Sequence, residues 1–182
     1  MEQVFAPWRI EWIRREKKNP KVEECVFCEL PNWENDRENL LVARNDHAFV
    51  LLNNAPYNPG HAMVIPFHHT GDYTDLTDEE LLGHARLKQR TLEALEAAFE
   101  PAGFNAGLNL GGGAAGGSID DHLHTHVVPR WQGDTNFMPI VSDTTVIVEA
   151  LEETYDQLHE AFAAQEGATV PDDRSSVRFD AP

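Results

Sequence analysis

His122-Leu123-His124-Thr125-His126-Val127-Val128 is the stretch on which the reading of this chain turns. Side chains alternate along a β-strand. The spacing therefore predicts a strand over His122–Pro129, with His122, His124 and His126 on one face about 6.5 to 7 Å apart and Leu123, Thr125 and Val127 on the other. Three imidazoles on one edge point to chemistry rather than to core filling. One reading is a metal site, since His-x-His is common in metal hydrolases, but no His-Glu-x-x-His is present and no Asp or Glu partner stands at a familiar spacing. The other reading comes from what precedes the triad. Gly111-Gly112-Gly113-Ala114-Ala115-Gly116-Gly117-Ser118 leads into it, and glycines let successive backbone N–H groups turn toward an anion. This is not a P-loop, because Gly-Lys-Ser/Thr is missing and a strand follows instead of a helix.

Working outward, short apolar runs at Asn39–Ala43, Ala48–Asn53 and His61–Pro66 are separated by the turn signals Asn45-Asp46 and Asn54 to Gly60, which predicts a meander. The connections are too short for crossover helices, so the pairing is expected to be antiparallel. Thr77-Asp78-Glu79-Glu80 fits a capping box, and Leu81, Ala85, Leu92, Leu95 and Phe99 follow at helical spacing until Pro101 and Gly103. A further strand is expected over Phe104–Leu110, before the triad strand, and a second helix over about Thr145–Ala164. Strands, a helix, then strands is an α+β layout with one five-stranded antiparallel sheet and packed helices, not alternating βαβ. His47, His84 and His159 show no partner in the sequence and are expected at the surface.

Composition narrows the function. The chain has 182 residues with 31 Asp+Glu against 14 Lys+Arg, a formal charge of −17. Such a field repels nucleic-acid backbones, so no nucleic-acid partner is expected, and the acidic excess is of the kind that keeps proteins soluble in concentrated salt, a halophilic trait. No apolar run approaches the roughly 20 residues of a membrane span. The first 21 residues hold Arg9, Arg14, Arg15, Lys17, Lys18 and Lys21, a basic arm expected to dock onto the acidic body or a partner subunit. Residues 22–165 are read as one domain and 166–182 as a disordered tail. The opening lacks a signal-peptide pattern, so a cytoplasmic protein is expected. The only cysteines, Cys25 and Cys28, lie three apart, which in a reducing compartment suggests a metal or redox centre more than a disulfide.

These motifs together resemble the histidine triad superfamily of nucleotide hydrolases and transferases, with its His-φ-His-φ-His-φ-φ pattern, φ being apolar; Thr125 departs from it. Leu51-Leu52-Asn53-Asn54-Ala55-Pro56-Tyr57-Asn58-Pro59-Gly60-His61-Ala62-Met63-Val64-Ile65-Pro66 resembles the family's nucleoside-binding hairpin, Asn105–Leu110 its phosphate-side strand, and Ala6-Pro7-Trp8-Arg9 the opening of a longer branch. The resemblance implies a small-molecule nucleotide substrate and a homodimer or higher homo-oligomer. It implies His124 as nucleophile at an α-phosphorus, with His122 and His126 completing the catalytic set and no catalytic metal. It further implies His61, Asn109, Gly117 and Ser118 at the phosphates, Asn53 at the ribose, and Trp131 among the nucleotide-binding residues. Many relatives carry Gln where this chain has Ser118. Gly117-Ser118 and Trp131 resemble the subgroup that uses inorganic phosphate as acceptor, which implies a diadenosine tetraphosphate phosphorylase rather than a hydrolase. A nucleoside phosphoramidase and a non-catalytic nucleotide sensor remain as alternatives. In zinc-bearing relatives the Cys-x-x-Cys is completed by a histidine three residues after the Pro ending the third strand and by the first triad histidine, which are His69 and His122 here. The implied cofactor is structural zinc on Cys25, Cys28, His69 and His122.

Overall fold

The computed structural model describes residues 25–111, 115, 119–134, 150–172 and 175–180. The basic arm, Gly117, Ser118 and residues 145–149 of the expected second helix lie outside them.

Six strands form one sheet: β1 Leu41–Arg44, β2 Ala48–Leu52, β3 Ala62–Pro66, β4 Gly103–Gly107, β5 Thr125–Arg130 and β6 Val177–Arg178, in the order β4-β5-β3-β2-β1-β6. The helices are α1 Val26–Glu29, α2 Asp78–Phe99 and α3 Leu151–Ala163. The α+β reading holds, with two corrections to the five-stranded antiparallel sheet. β6 is a sixth strand, and it runs parallel to β1, which makes the sheet mixed. It comes from the stretch 166–182 expected to be disordered. Val177 and Phe179 bury their side chains there, and Arg90 on α2 lies 4.1 Å over the Phe179 ring.

α2 starts as the sequence requires. The Thr77 hydroxyl accepts from the Glu80 N–H, and the Glu80 carboxylate accepts from the Thr77 N–H at 2.8 Å. Its buried stripe, with Leu87, Ala94 and Leu95, packs with α3 over one face of the sheet. Period-two alternation divides the strands between two cores. Ala48, Val50, Leu52, Ala62, Val64 and Val127 face the helices, whereas Phe49, Leu51, Met63 and Ile65 face the opposite side, where Phe27 and Leu30 of the knuckle region cover them.

A further correction concerns the triad. β5 begins at Thr125, not His122, so His122 and His124 sit in the irregular approach to the strand. On β5 itself the alternation stands: Thr125 and Val127 point to the α2 layer, and His126 to the other face. The Thr125 hydroxyl lies 3.1 Å from Nε2 of His84. His84 is therefore not at the surface but 3% exposed on α2, also 3.3 Å from the Val64 carbonyl. This pair accounts for a threonine where the family pattern has an apolar residue. His159 likewise has partners, the Ser175 carbonyl and the Tyr155 ring, and His47 packs on the backbone of Gly83.

Candidate active site and metal centre

His124 is held by its own chain. Its Nδ1 lies 2.9 Å from the carbonyl oxygen of His122. A carbonyl only accepts, so Nδ1 carries the hydrogen and Nε2 keeps the lone pair. The residue is 8% exposed, and burial pushes its imidazole below the usual histidine range, which favours the neutral form. The His124 and His126 rings meet edge to face with centroids 5.0 Å apart.

His126 and His61 form a second chain of contacts. The Tyr57 N–H donates to Nδ1 of His61 at 3.1 Å, and Nε2 of His61 lies 3.0 Å from Nδ1 of His126. With Nδ1 of neutral His61 occupied as an acceptor, its Nε2–H donates to His126. Nε2 of a neutral His126 then carries a hydrogen of its own. The Tyr57 ring stacks on His61 at 4.7 Å. Gly60, at φ +74°, makes the turn into this histidine.

Asn53 follows β2. Its side-chain oxygen accepts from the Ala55 N–H, and its amide lies 3.8 Å from the sulfur of Met63, the residue opposite His126 on β3. Asn109 is exposed just beyond β4, which ends at Gly107 rather than Leu110. Trp131 follows β5 directly, with its N–H 3.2 Å from Asp134. Gly117 and Ser118 fall outside the described residues.

His122, 1% exposed, faces away from this set. Its Nε2 donates to the Pro66 carbonyl at 2.8 Å, which leaves Nδ1 as a ligand atom. Nδ1 lies 3.3 Å from Cys25 Sγ and 3.7 Å from Cys28 Sγ, and Cys28 Sγ lies 3.2 Å from Nδ1 of His69. Sulfur and nitrogen ligands of one tetrahedral zinc would stand about 3.6 Å apart. All four ligand atoms lie within 4.8 Å of one another. In the metal-free protein, burial and the neighbouring Cys25 push the Cys28 thiol up to about 11. A divalent cation would reverse that preference and be held by the thiolates. The residues fit a four-coordinate metal with no open position, the form of a structural site.

Phe27, between the two cysteines, links the centres. Its ring lies 5.5 Å from that of His122 and 5.3 Å from that of His124. Sequence reasoning missed this ring and missed Tyr57, Asn58 and Asp134; the last two meet across 76 residues of chain.

The model of the HIT domain matches residues 34–133, more than half of the chain. The chain belongs to the HIT family. A HIT relative from Mycobacterium tuberculosis named AP-4-A phosphorylase is 37% identical over 170 residues, covering 91% of this chain and 86% of that protein. Adenosine 5'-monophosphoramidase hnt1 of Schizosaccharomyces pombe is 27% identical over 58% of this chain and 74% of its own. Among solved structures, a zinc-bound histidine triad family protein from Mycobacterium smegmatis superimposes with TM-score 0.60 at 29% identity, covering 77% of this chain and 94% of that one.

Proposed function

We propose that this HIT protein is an enzyme that cleaves the phosphoanhydride of a dinucleoside polyphosphate such as diadenosine tetraphosphate, with His124 as nucleophile. The observation that carries this reading is the hydrogen bond from Nδ1 of His124 to the His122 carbonyl, which leaves Nε2 as the nucleophilic atom. In the first step Nε2 attacks the α-phosphorus. The P–N bond forms as the P–O bond to departing ATP breaks, and the Nε2–H of His126 meets the leaving oxygen. In the second step an oxygen of the acceptor attacks the same phosphorus, the P–N bond breaks, and Nε2 recovers its lone pair. Backbone N–H groups at Gly117 and Ser118, with Asn109, are the expected partners of the non-bridging oxygens, and Asn53 of the ribose.

Inorganic phosphate is the acceptor we favour, supported by the 37% identity to a protein named AP-4-A phosphorylase. Product analysis decides it. ADP and ATP formed only with phosphate mean phosphorolysis, whereas AMP and ATP mean hydrolysis. Acid-labile label on the protein after rapid mixing with α-labelled substrate tests the covalent step, and its absence together with no turnover would leave a nucleotide sensor. The likeness to a monophosphoramidase supports a second reading, tested by AMP release from adenosine 5'-phosphoramidate.

The metal at Cys25, Cys28, His69 and His122 is read as one structural zinc. A homodimer is read from β4, an edge strand exposed over residues 105–107 that a second copy could cover; sedimentation tests it. No described helix is long and apolar enough to cross a membrane, and we place the protein in the cytoplasm. The −17 charge is read as adaptation to concentrated salt, so activity and melting temperature should rise with KCl to molar concentrations. A maximum near 0.1 M would contradict it.

A further inference from the structure

Asp134 joins three separate parts of the chain. Its carboxylate takes two hydrogen bonds from Arg130, Nε at 2.6 Å and Nη2 at 2.7 Å. It also accepts from the Asn58 amide at 2.8 Å and from the Trp131 N–H at 3.2 Å. The same Asn58 amide reaches the Pro129 carbonyl at 2.9 Å, and Nη1 of Arg130 donates to the Asn105 side chain on β4 at 2.7 Å. The Asp134 side chain is 11% exposed, so these bonds are shielded more than those of a surface ion pair. They hold the carboxyl well below the usual carboxylate range, chiefly through Arg130.

The connections have a direction. Asn58 belongs to the 53–60 hairpin, where the adjacent Tyr57 N–H fixes His61. Trp131 leaves the end of β5 opposite to His124. Among the described residues Asp134 bonds to Arg130, to Asn58 of the hairpin and to the Trp131 backbone, and to no member of the triad. We propose that Asp134 is a positioning residue that holds the 53–60 hairpin, Trp131 and β4 as one unit, so that the nucleotide meets a preformed pocket. This rests on the reading above that Asn53 and Trp131 bind nucleotide. The physical reason is preorganisation: a pocket whose walls are fixed before binding loses less ordering entropy when the ligand arrives.

Two variants and one ligand test it. Asp134→Ala removes the whole junction, and Asn58→Ala removes only the link to the hairpin and leaves the Arg130 ion pair. Binding of AMP is measured by calorimetry, and KM and kcat are measured with diadenosine tetraphosphate. Asp134→Ala should weaken AMP binding and raise KM at least tenfold while kcat changes less than threefold. Asn58→Ala should raise KM about threefold to tenfold with its melting temperature within a few degrees of the wild type. A role in folding alone would lower the melting temperature and the active fraction, hence apparent kcat, with KM unchanged. AMP affinity within twofold of wild type in both variants would overturn the proposal. Wild-type protein that binds no AMP would instead overturn the nucleotide reading, and the positioning role with it.

Discussion

His122 and His124 stand two residues apart, are both buried, and present opposite nitrogens. The Pro66 carbonyl takes the Nε2–H of His122 and leaves Nδ1 for the cysteine cluster. The His122 carbonyl takes the Nδ1–H of His124 and leaves Nε2 with its lone pair. One side chain is thus a candidate metal ligand and the other a candidate nucleophile according to which backbone oxygen lies in reach. His84 is a third case. Buried against the Val64 carbonyl and the Thr125 hydroxyl, it faces neither centre.

The largest effect should come from breaking the His124 side of this comparison. His124→Ala should leave less than about 1% of turnover while AMP affinity stays within about tenfold, because the proposed ribose and phosphate contacts do not involve this side chain. Retention of more than that rate would sink the covalent mechanism. Breaking the His122 side should act on the fold first. Cys25→Ser should reduce zinc from about one per chain to none by elemental analysis. It should lower the melting temperature by about 8 °C, the shift that about 3 kcal/mol produces in a chain of this size. Turnover should drop about tenfold, through the strand approach that His122 anchors, well short of the His124→Ala loss. A variant that kept both its metal and its melting temperature would remove Cys25 from the ligand set.

The third histidine sharpens the contrast through pH. Burial lowers the His84 pKa in the folded protein, so below the ordinary histidine value of about 6.5 the unfolded chain takes up a proton that the folded one refuses. Its contribution to stability is complete above about pH 6.5 and is lost as pH falls from there toward the folded pKa. The fall in melting temperature over that window should be shallower in His84→Leu than in the wild type; an unchanged slope would rule His84 out as its source. The smallest effect is expected from Thr125→Val. It removes one hydrogen bond to His84, worth about 1 kcal/mol, on the sheet face away from His126, so kcat should stay within about twofold. A tenfold loss of kcat would show that the helix side of β5 does set the catalytic geometry.

What the sequence shows and what it hides follow one physical division. The triad, the Asn53-to-His61 hairpin, the capping box at Thr77 and the Cys-x-x-Cys are legible because each is a local pattern with a local reason. The start of β5 is not, because the pull on His122 comes from Cys25, Cys28 and the end of β3, all distant in sequence. His84 looks solvent-exposed until Thr125, 41 residues on, is packed against it. The Asp134 junction depends on Asn58, 76 residues earlier. β6 escapes because two residues carry no period; Val177 and Phe179 declare themselves only against β1, α2 and α3.

β6 has a bearing on how the chain is made. It pairs with β1 across most of the sequence, with the Phe179 N–H closing onto the Arg44 carbonyl. During synthesis β1 can be covered by β2 almost at once, but its outer side stays bare until residues 177–179 emerge from the ribosome. Until then Leu41, Val42 and Ala43, all fully buried in the finished protein, border an unpaired row of backbone donors and acceptors. A nascent or proteolytically shortened chain ending before residue 177 would carry that row as a template for strand addition from another chain. A short segment after α3 is therefore also what keeps newly made molecules from joining at this edge.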